Sequence, residues 1–292
     1  MKIDVIIPTY NNAPFIAEAI HSVLKQTYAV QQVIVVDDGS TDNTQSIVTT
    51  YPQIKYIKKE NGGPNSARNM GLTHAASELV AFLDADDTWE PTKLEKQVKL
   101  FEQDMDNVLG LVYGNYKIID ATGINRTDIP TVPLHSDVRG YAFEKLLPGN
   151  FILGSASNVL LRRSVFDIVG LFDEALRVGE DWDMWLRIAE KFKIDYVDEV
   201  LVAIRRHANN NTSNLAYLIQ GDIAFIEKWL PRIQNSYLVP QLWTDRLTFN
   251  MVRGFPQLTM LKLVRNTLSP STRKILFART GGSLTLACIV FL

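Results

Sequence analysis

Along the amino-terminal third of the chain, apolar positions alternate between two spacings. Residues 3–7 and 32–36 are short apolar, β-branched runs, the mark of strands buried on both faces, and 54–58 and 79–83 follow in the same style. Between them the apolar residues recur every three or four positions, as in a helix with one buried face. Over 13–26 these are Phe15, Ile16, Ala19, Ile20, Val23 and Leu24, and similar patterns cover 44–51 and 67–76. A fourth helix is predicted over 91–103, opening on a proline near its first turn. This alternation predicts an α/β fold: a Rossmann-like, doubly wound parallel sheet flanked by helices, with ligands at the carboxyl ends of its strands. Residues 120–149 break the pattern. They hold Gly123, Pro130, Pro133, Gly140 and Pro148 with little periodicity, and read as a long connection that faces substrate. Helical spacing returns at 164–169 and 181–191, and a strand pattern at 194–197.

Composition changes this picture little: 292 residues with 46% hydrophobic and 21% charged side chains are ordinary for a globular chain. The single cysteine, Cys288, excludes an internal disulfide framework and fits a reducing compartment. A strand pattern opens at residue 3 without the apolar segment of a secretory signal, so a cytoplasmic location is expected. Charge changes more. From Arg246 onward there are seven basic side chains and no acidic one, which leaves residues 1–245 with 23 basic against 32 acidic. Leu258, Met260, Leu261, Leu263, Val264, Ile275, Leu276 and Phe277 lie among those cations, followed by an apolar run too short to span a bilayer. One expectation is a helical, basic-apolar region over 216–292 that lies peripherally on the inner face of a membrane. The other is a helical appendage packed on the body, its basic face simply solvated.

Polar clusters follow three of the strands and, in a parallel sheet, share one edge. They are Pro8-Thr9-Tyr10-Asn11, Asp37-Asp38-Gly39-Ser40-Thr41-Asp42 and Asp84-Ala85-Asp86-Asp87. The Tyr10 ring can stack on a base, and the Asp38 carboxylate can accept a base N–H or a ribose hydroxyl, although Asp-Gly-Ser is also plain turn chemistry. Asp84, Asp86 and Asp87 repel one another, and half-burying them is costly unless a cation or hydrogen-bond donors compensate. They suit a divalent metal with a phosphorylated ligand, or else an acidic turn capping the helix near Pro91. Over 61–71 the glycines let backbone approach a ligand, and a helix beginning near Ser66 offers free N–H groups to an anion, with Arg68 just inside it. This is not a Walker A loop, and no Gly-x-Gly-x-x-Gly follows the first strand. Further on, Trp182, Trp185 and Ile188 share one helix face behind Glu180 and Asp181. Asp181 is there either a helix cap or a general base beside an aromatic-walled acceptor site. Arg205-Arg206-His207 adds two cations and an imidazole that is either structural or a ligand.

Taken in order, these clusters resemble the inverting family-2 glycosyltransferases of the GT-A fold. The matching stretches are 5–11, 34–42, 61–69, 82–87, 179–182 and 205–207, and the likeness covers roughly residues 1–215. The resemblance implies a GT-A domain over 1–215 that moves a sugar from a nucleoside-diphosphate sugar, foremost a UDP-sugar, with inversion. The implied acceptor is a hydroxyl of a glycan or lipid-linked glycan, and no nucleic acid is involved. By position in the motifs, Pro8, Tyr10, Asp38, Arg68 and Asp84 would hold the nucleotide. Asp86 would bind Mn²⁺ or Mg²⁺, with His207 a further contact to the metal or diphosphate. Asp181 would be the base, Glu180 and Trp182 would stand at the acceptor, and Asp87 would be a structural cap. The chemistry agrees with this assignment: a metal neutralises the departing diphosphate, and one carboxylate takes the acceptor proton on the opposite face. Hard oxygen ligands suit Mg²⁺ or Mn²⁺ rather than Zn²⁺. Processive synthases of the family carry Gln-x-x-Arg-Trp and several membrane spans; neither occurs in this sequence, so a non-processive enzyme is implied. Two other readings remain. A nucleotidyltransferase acting on sugar phosphates is disfavoured by the lack of a basic residue over 8–13, and an inactive nucleotide-sugar-binding protein by the intact Asp84, Asp86 and Asp181.

Overall fold

The computed structural model, which describes residues 1–129, 138–207 and 215–233, puts strands where the apolar runs predict them: β1 (Ile3–Thr9), β2 (Gln32–Asp37), β3 (Ile54–Lys58) and β4 (Leu79–Phe82). Every residue of β1 is buried, as a strand covered on both faces must be. β1 runs parallel to β2 and to β4, and β2 to β3. On one face Ile3, Val5 and Ile7 share a core with Ile16, Ala19, Ile20 and Val23 of α1 (Ile16–Leu24). α2 (Thr44–Val48) follows β2. On the other face α3 (Pro64–His74) crosses β1 so closely that any side chain at Gly71 would overlap Ile6. As the crossover from β3 to β4, α3 starts at the carboxyl edge of the sheet and runs back along it.

Of the remaining strands only β8 contains a predicted strand pattern, that at 194–197; β5, β6 and β7 lie outside the apolar runs that the sequence shows. β6 (Leu109–Asp120), β7 (Leu160–Arg162) and β8 (Lys193–Arg206) continue the sheet, and β5 (Thr88–Trp89) pairs with β8 at its far edge. The strand order is β3-β2-β1-β4-β7-β6-β8-β5. β7 is antiparallel to both β4 and β6, whereas β8 is parallel to β6. Two reversals restore the original direction. Hence β8 ends, and β7 begins, on the same edge where β1, β2 and β4 end. The sheet is therefore mixed, and the doubly wound parallel pattern holds only for β3-β2-β1-β4.

Helix boundaries differ from expectation where the turn chemistry is local. α4 (Lys93–Gln103) begins after Thr92, so Asp87 is not its cap. Of the 120–149 connection, residues 120–129 fold back on β6, with Asp120 accepting the N–H groups of Thr122 and Ile124, while 130–137 lie outside the described residues. α5 (Phe143–Leu146), α6 (Val165–Val169), α7 (Glu180–Lys191) and α8 (Leu215–Trp229) complete the described helices.

The chain divides into two units. Met1–Phe143, Asn150–Glu174 and Met184–His207 form the first, which holds the whole sheet; Glu144–Gly149, Ala175–Asp183 and Ala208–Leu292 form the second. In the second, Trp182 stacks on Phe225 of α8 with ring centroids 4.3 Å apart. The basic, apolar segment from Arg246 onward lies outside the described residues. Among the described residues no helix is long and apolar enough to cross a membrane.

Candidate active site

The loops after β1 and β2 are tied to each other. The Asn11 carboxamide oxygen accepts the Thr41 N–H at 2.8 Å, while the Asn11 N–H donates to Ser40 Oγ at 2.9 Å. Asp37 accepts the Ser40 N–H at 2.7 Å and the Tyr56 hydroxyl at 2.5 Å. Burial, and then the Asp37 carboxylate, hold the Tyr56 phenol well above its usual range. Pro8 lies inside β1 opposite Val36 and shapes the strand end. Tyr10, 48% exposed, leaves its ring open for stacking.

Asp38 is buried and already engaged. It accepts the Gly62 N–H at 3.0 Å, the Gly63 N–H at 2.7 Å and the Lys59 ammonium at 2.7 Å. These bonds latch the segment that leads into α3. Gly63, at φ 90°, occupies the cap position ahead of Pro64, so the helix starts at Pro64 rather than near Ser66. Arg68 consequently sits a full turn inside α3, not at its first or second position. Buried there, it donates to Asn65 Oδ1 at 3.1 Å and forms an ion pair with Asp84 Oδ1 at 2.9 Å.

The acidic loop after β4 gives each carboxylate a different neighbour. Asp84 meets Arg68, and Asp86 meets His207 Nε2 at 2.9 Å. His207 follows β8, and its ring packs 4.9 Å from that of Phe15. Asp87 accepts the Ser157 hydroxyl at 2.7 Å and the Arg205 N–H at 2.9 Å, and Ser157 Oγ in turn accepts the Asp84 N–H at 2.9 Å. Asp87 is thus structural, but as a clamp between the loop, β7 and β8. Arg205, 1% exposed, spends its guanidinium on backbone: Asp86 carbonyl at 2.8 Å, Ala121 carbonyl at 3.2 Å and Asp120 carbonyl at 3.3 Å, with Glu18 at 2.5 Å. It also lies 5.0 Å over the Phe15 ring.

The electrostatics of this loop are unbalanced. Burial, then the charge of Asp84, raise the Asp86 carboxyl above the usual carboxylate range, although His207 pulls the other way. Burial, then Asp86 and Asp84, push Asp87 further up. Added positive charge would relieve both. The carboxylate oxygens of this donor set suit Mn²⁺ or Mg²⁺, and the imidazole nitrogen favours Mn²⁺ of the two. Among the described residues no group of three or more His, Cys, Asp or Glu is placed to hold a metal by itself. A metal held at Asp86 and His207 would need further ligands from outside the described protein groups.

The acceptor-side candidates belong to the second unit. Asp181, half-buried in the first turn of α7, accepts the Trp182 N–H at 2.6 Å, and Glu180 beside it is half-buried too. Trp182 is 4% exposed, and its indole N–H donates to the Leu146 carbonyl at 2.9 Å. Stacked on Phe225 as well, its ring packs the interior of the unit rather than forming an open acceptor wall. Sequence reasoning reads Phe15 only as an apolar helix position, gives Lys59 no role, and takes 154–158 only as a stretch near which sugar and acceptor choice resides, not Ser157 as a partner of Asp87. Only Ser157 leaves a signal, because 154–158 is a Gly-Ser-Ala-Ser-Asn turn just before a strand.

The sheet and its flanking helices have the fold of the GT-A-type glycosyltransferases. The structure of Staphylococcus aureus TarS 1-349 in complex with UDP-GlcNAc aligns over 99% of this chain and 90% of its own, at a TM-score of 0.69 and 18% identity. Residues 4–170 match the model of Glycosyl transferase family 2, and the chain belongs to that family. An uncharacterized glycosyltransferase of Rickettsia felis is 34% identical over 218 residues, covering 73% of this chain and 36% of the relative. The Escherichia coli UDP-Glc:alpha-D-GlcNAc-diphosphoundecaprenol beta-1,3-glucosyltransferase WfgD is 40% identical over 125 residues, covering 42% of this chain and 48% of its own. The chain spans about a third of the first relative's length and about half of the second's. Family membership does not favour the nucleotidyltransferase alternative.

Proposed function

We propose that this chain is a non-processive, inverting, metal-dependent glycosyltransferase that moves a hexose from a UDP-sugar to a hydroxyl of a lipid-diphosphate-linked glycan in cell-envelope polysaccharide assembly. The observation that carries this reading is the acidic loop itself: Asp84 bound to Arg68, and Asp86 bound to His207, on a strand edge with excess negative charge. The donor and acceptor classes rest on the likeness to the Escherichia coli UDP-Glc:alpha-D-GlcNAc-diphosphoundecaprenol glucosyltransferase.

In this reading the Tyr10 ring stacks on the base, and the Asp38 latch holds the backbone of 62–63 against the nucleotide. Arg68 and Asp84 hold the ribose and diphosphate between them. Asp86 and His207 would hold a Mn²⁺ or Mg²⁺, which would neutralise charge on the departing diphosphate. Asp181 takes the proton of the acceptor hydroxyl as its oxygen bonds to the anomeric carbon and the bond from that carbon to UDP breaks. Attack opposite the leaving group, with no enzyme nucleophile, inverts the configuration. Because a lipid-linked acceptor resides at a membrane surface, we assign that contact to the basic segment from Arg246 onward.

Incubating the full chain with Mn²⁺, UDP-glucose or UDP-GlcNAc and a GlcNAc-diphosphate-alkyl acceptor tests the proposal. The expected result is UDP release coupled to acceptor extension, with a β-linked product by NMR. The Asp181→Asn variant should bind UDP as before and lose transfer. Pyrophosphate release, a retained anomeric configuration or full turnover by Asp181→Asn would each contradict it.

A further inference from the structure

The residues flanking Asp181 are seated on α8, a helix beyond the 4–170 stretch that matches the family. Val178 packs into the space left by Gly221, where any side chain would overlap it. Gly179 turns the chain at φ 75°, and a side chain there would come within 3.2 Å of Phe225. Trp182 lies flat on the same Phe225 ring, 4.3 Å between centroids and 16° between planes. Asp183 is completely buried, and its carboxylate accepts the Trp229 indole N–H at 2.9 Å and pairs with Lys228 at 2.8 Å. Glu180 and Asp181, between these anchored positions, stay half-buried.

Such an arrangement exceeds what holding two helices together requires. A buried carboxylate is costly unless paired and hydrogen-bonded, and apolar residues of similar size would pack as well or better. What Asp183 adds is register: its two partners accept one position of the turn along α8, and the flat Trp182–Phe225 stack excludes rotation. A base must meet the acceptor proton at hydrogen-bond distance, and small misplacements cost rate heavily.

We infer that α8 is a positioning element for the acceptor-activating turn, with Phe225 and Trp229 as the positioning residues that set Asp181. The inference rests on the base role proposed for Asp181.

The test uses the full chain and two mild substitutions. Phe225→Leu keeps an apolar filling but removes the stack, and Trp229→Phe keeps the packing but removes the N–H donor to Asp183. Turnover is counted per UDP-binding site, titrated with UDP and Mn²⁺, so that loss of folded protein does not register. Each variant should lose about tenfold or more in kcat while its UDP affinity stays within about twofold, since misplacement by an ångström is enough for such losses. Backbone amide exchange should accelerate over 179–183 and stay unchanged over 62–68. Full kcat per site in both variants, or unchanged exchange over 179–183, overturns the inference even where Asp181→Asn is inactive. Full turnover by Asp181→Asn overturns the base role and this inference with it.

Discussion

Two acidic loops on the same sheet edge solve the burial of carboxylates differently. After β2, Asp38 is surrounded by donors: the Lys59 ammonium and the amides of Gly62 and Gly63 all converge on it. After β4, among the described residues, Asp84 pairs with Arg68, Asp86 with His207, and Asp87 accepts the Ser157 hydroxyl and the Arg205 N–H, yet burial still pushes both Asp86 and Asp87 upward. The first loop is balanced by protein groups alone and acts as a scaffold. The second is left with surplus negative charge, in a place where protonation, repulsion or a cation must answer it. In the proposed function the ligand supplies the missing charge, and on that reading the difference separates a latch from a binding site.

Substitution at each loop should break the pair apart. Asp86→Asn should lower kcat by about 1,000-fold, the loss expected when several kcal/mol of metal-borne charge stabilisation disappear. Its denaturant midpoint without metal should not fall, because a surplus charge is removed and an acceptor for His207 stays; a marked drop would mean that Asp86 is structural. Arg205→Met should act in the opposite sense, costing about 3 kcal/mol of stability by stranding the Asp86, Asp120 and Ala121 carbonyls, as read from urea unfolding. Asp38→Asn should cost about 2 kcal/mol and weaken UDP binding, since Lys59 and two amides lose their charged acceptor. Equal stability of Asp38→Asn and wild type would erase the distinction between the loops.

The smallest effect concerns a buried charge away from both loops. Lys93 is fully buried over the Trp89 ring, donates to Gln97 at 2.8 Å, and burial holds its ammonium well below the usual lysine range. The unfolded chain keeps that proton up to about pH 10.4, whereas the folded chain gives it up earlier, so this site favours folding less as pH falls. Lys93→Met should flatten the alkaline slope of stability against pH and leave turnover per UDP-binding site unchanged. An unaltered slope would show that Lys93 is neutralised in some other way.

The parallel half of the sheet and the donor loops are legible because each depends on neighbours in sequence. β-branched runs, interrupted over 3–7 only by Asp4, specify β1 and β2, and Asp, Gly and Asn mark the turns that follow. The other half is less legible for a physical reason. β7 has only three residues, and β6 and β8 run through Asn115, Lys117, Asp195, Asp198 and Glu199, so neither shows a clean apolar run. Their direction, which delivers Ser157 and His207 to the edge, is decided by pairing and not by local pattern. The site shows the same limit. Asp86 and His207 stand out as residue types, but the stacking of His207 on Phe15 and the Asp87–Ser157 clamp join residues far apart in sequence. Trp182 illustrates the converse: an aromatic beside a candidate base reads as an acceptor wall until its Phe225 partner is seen.

Titrating UDP into the wild-type chain, once with Mn²⁺ and once with EDTA, tests the surplus-charge account of the acidic loop most directly. The account predicts binding at least about tenfold tighter with Mn²⁺, a gain of 1.4 kcal/mol or more, and loss of that gain in Asp86→Asn but not in Asp38→Asn. Equal UDP affinity with and without Mn²⁺ would contradict it.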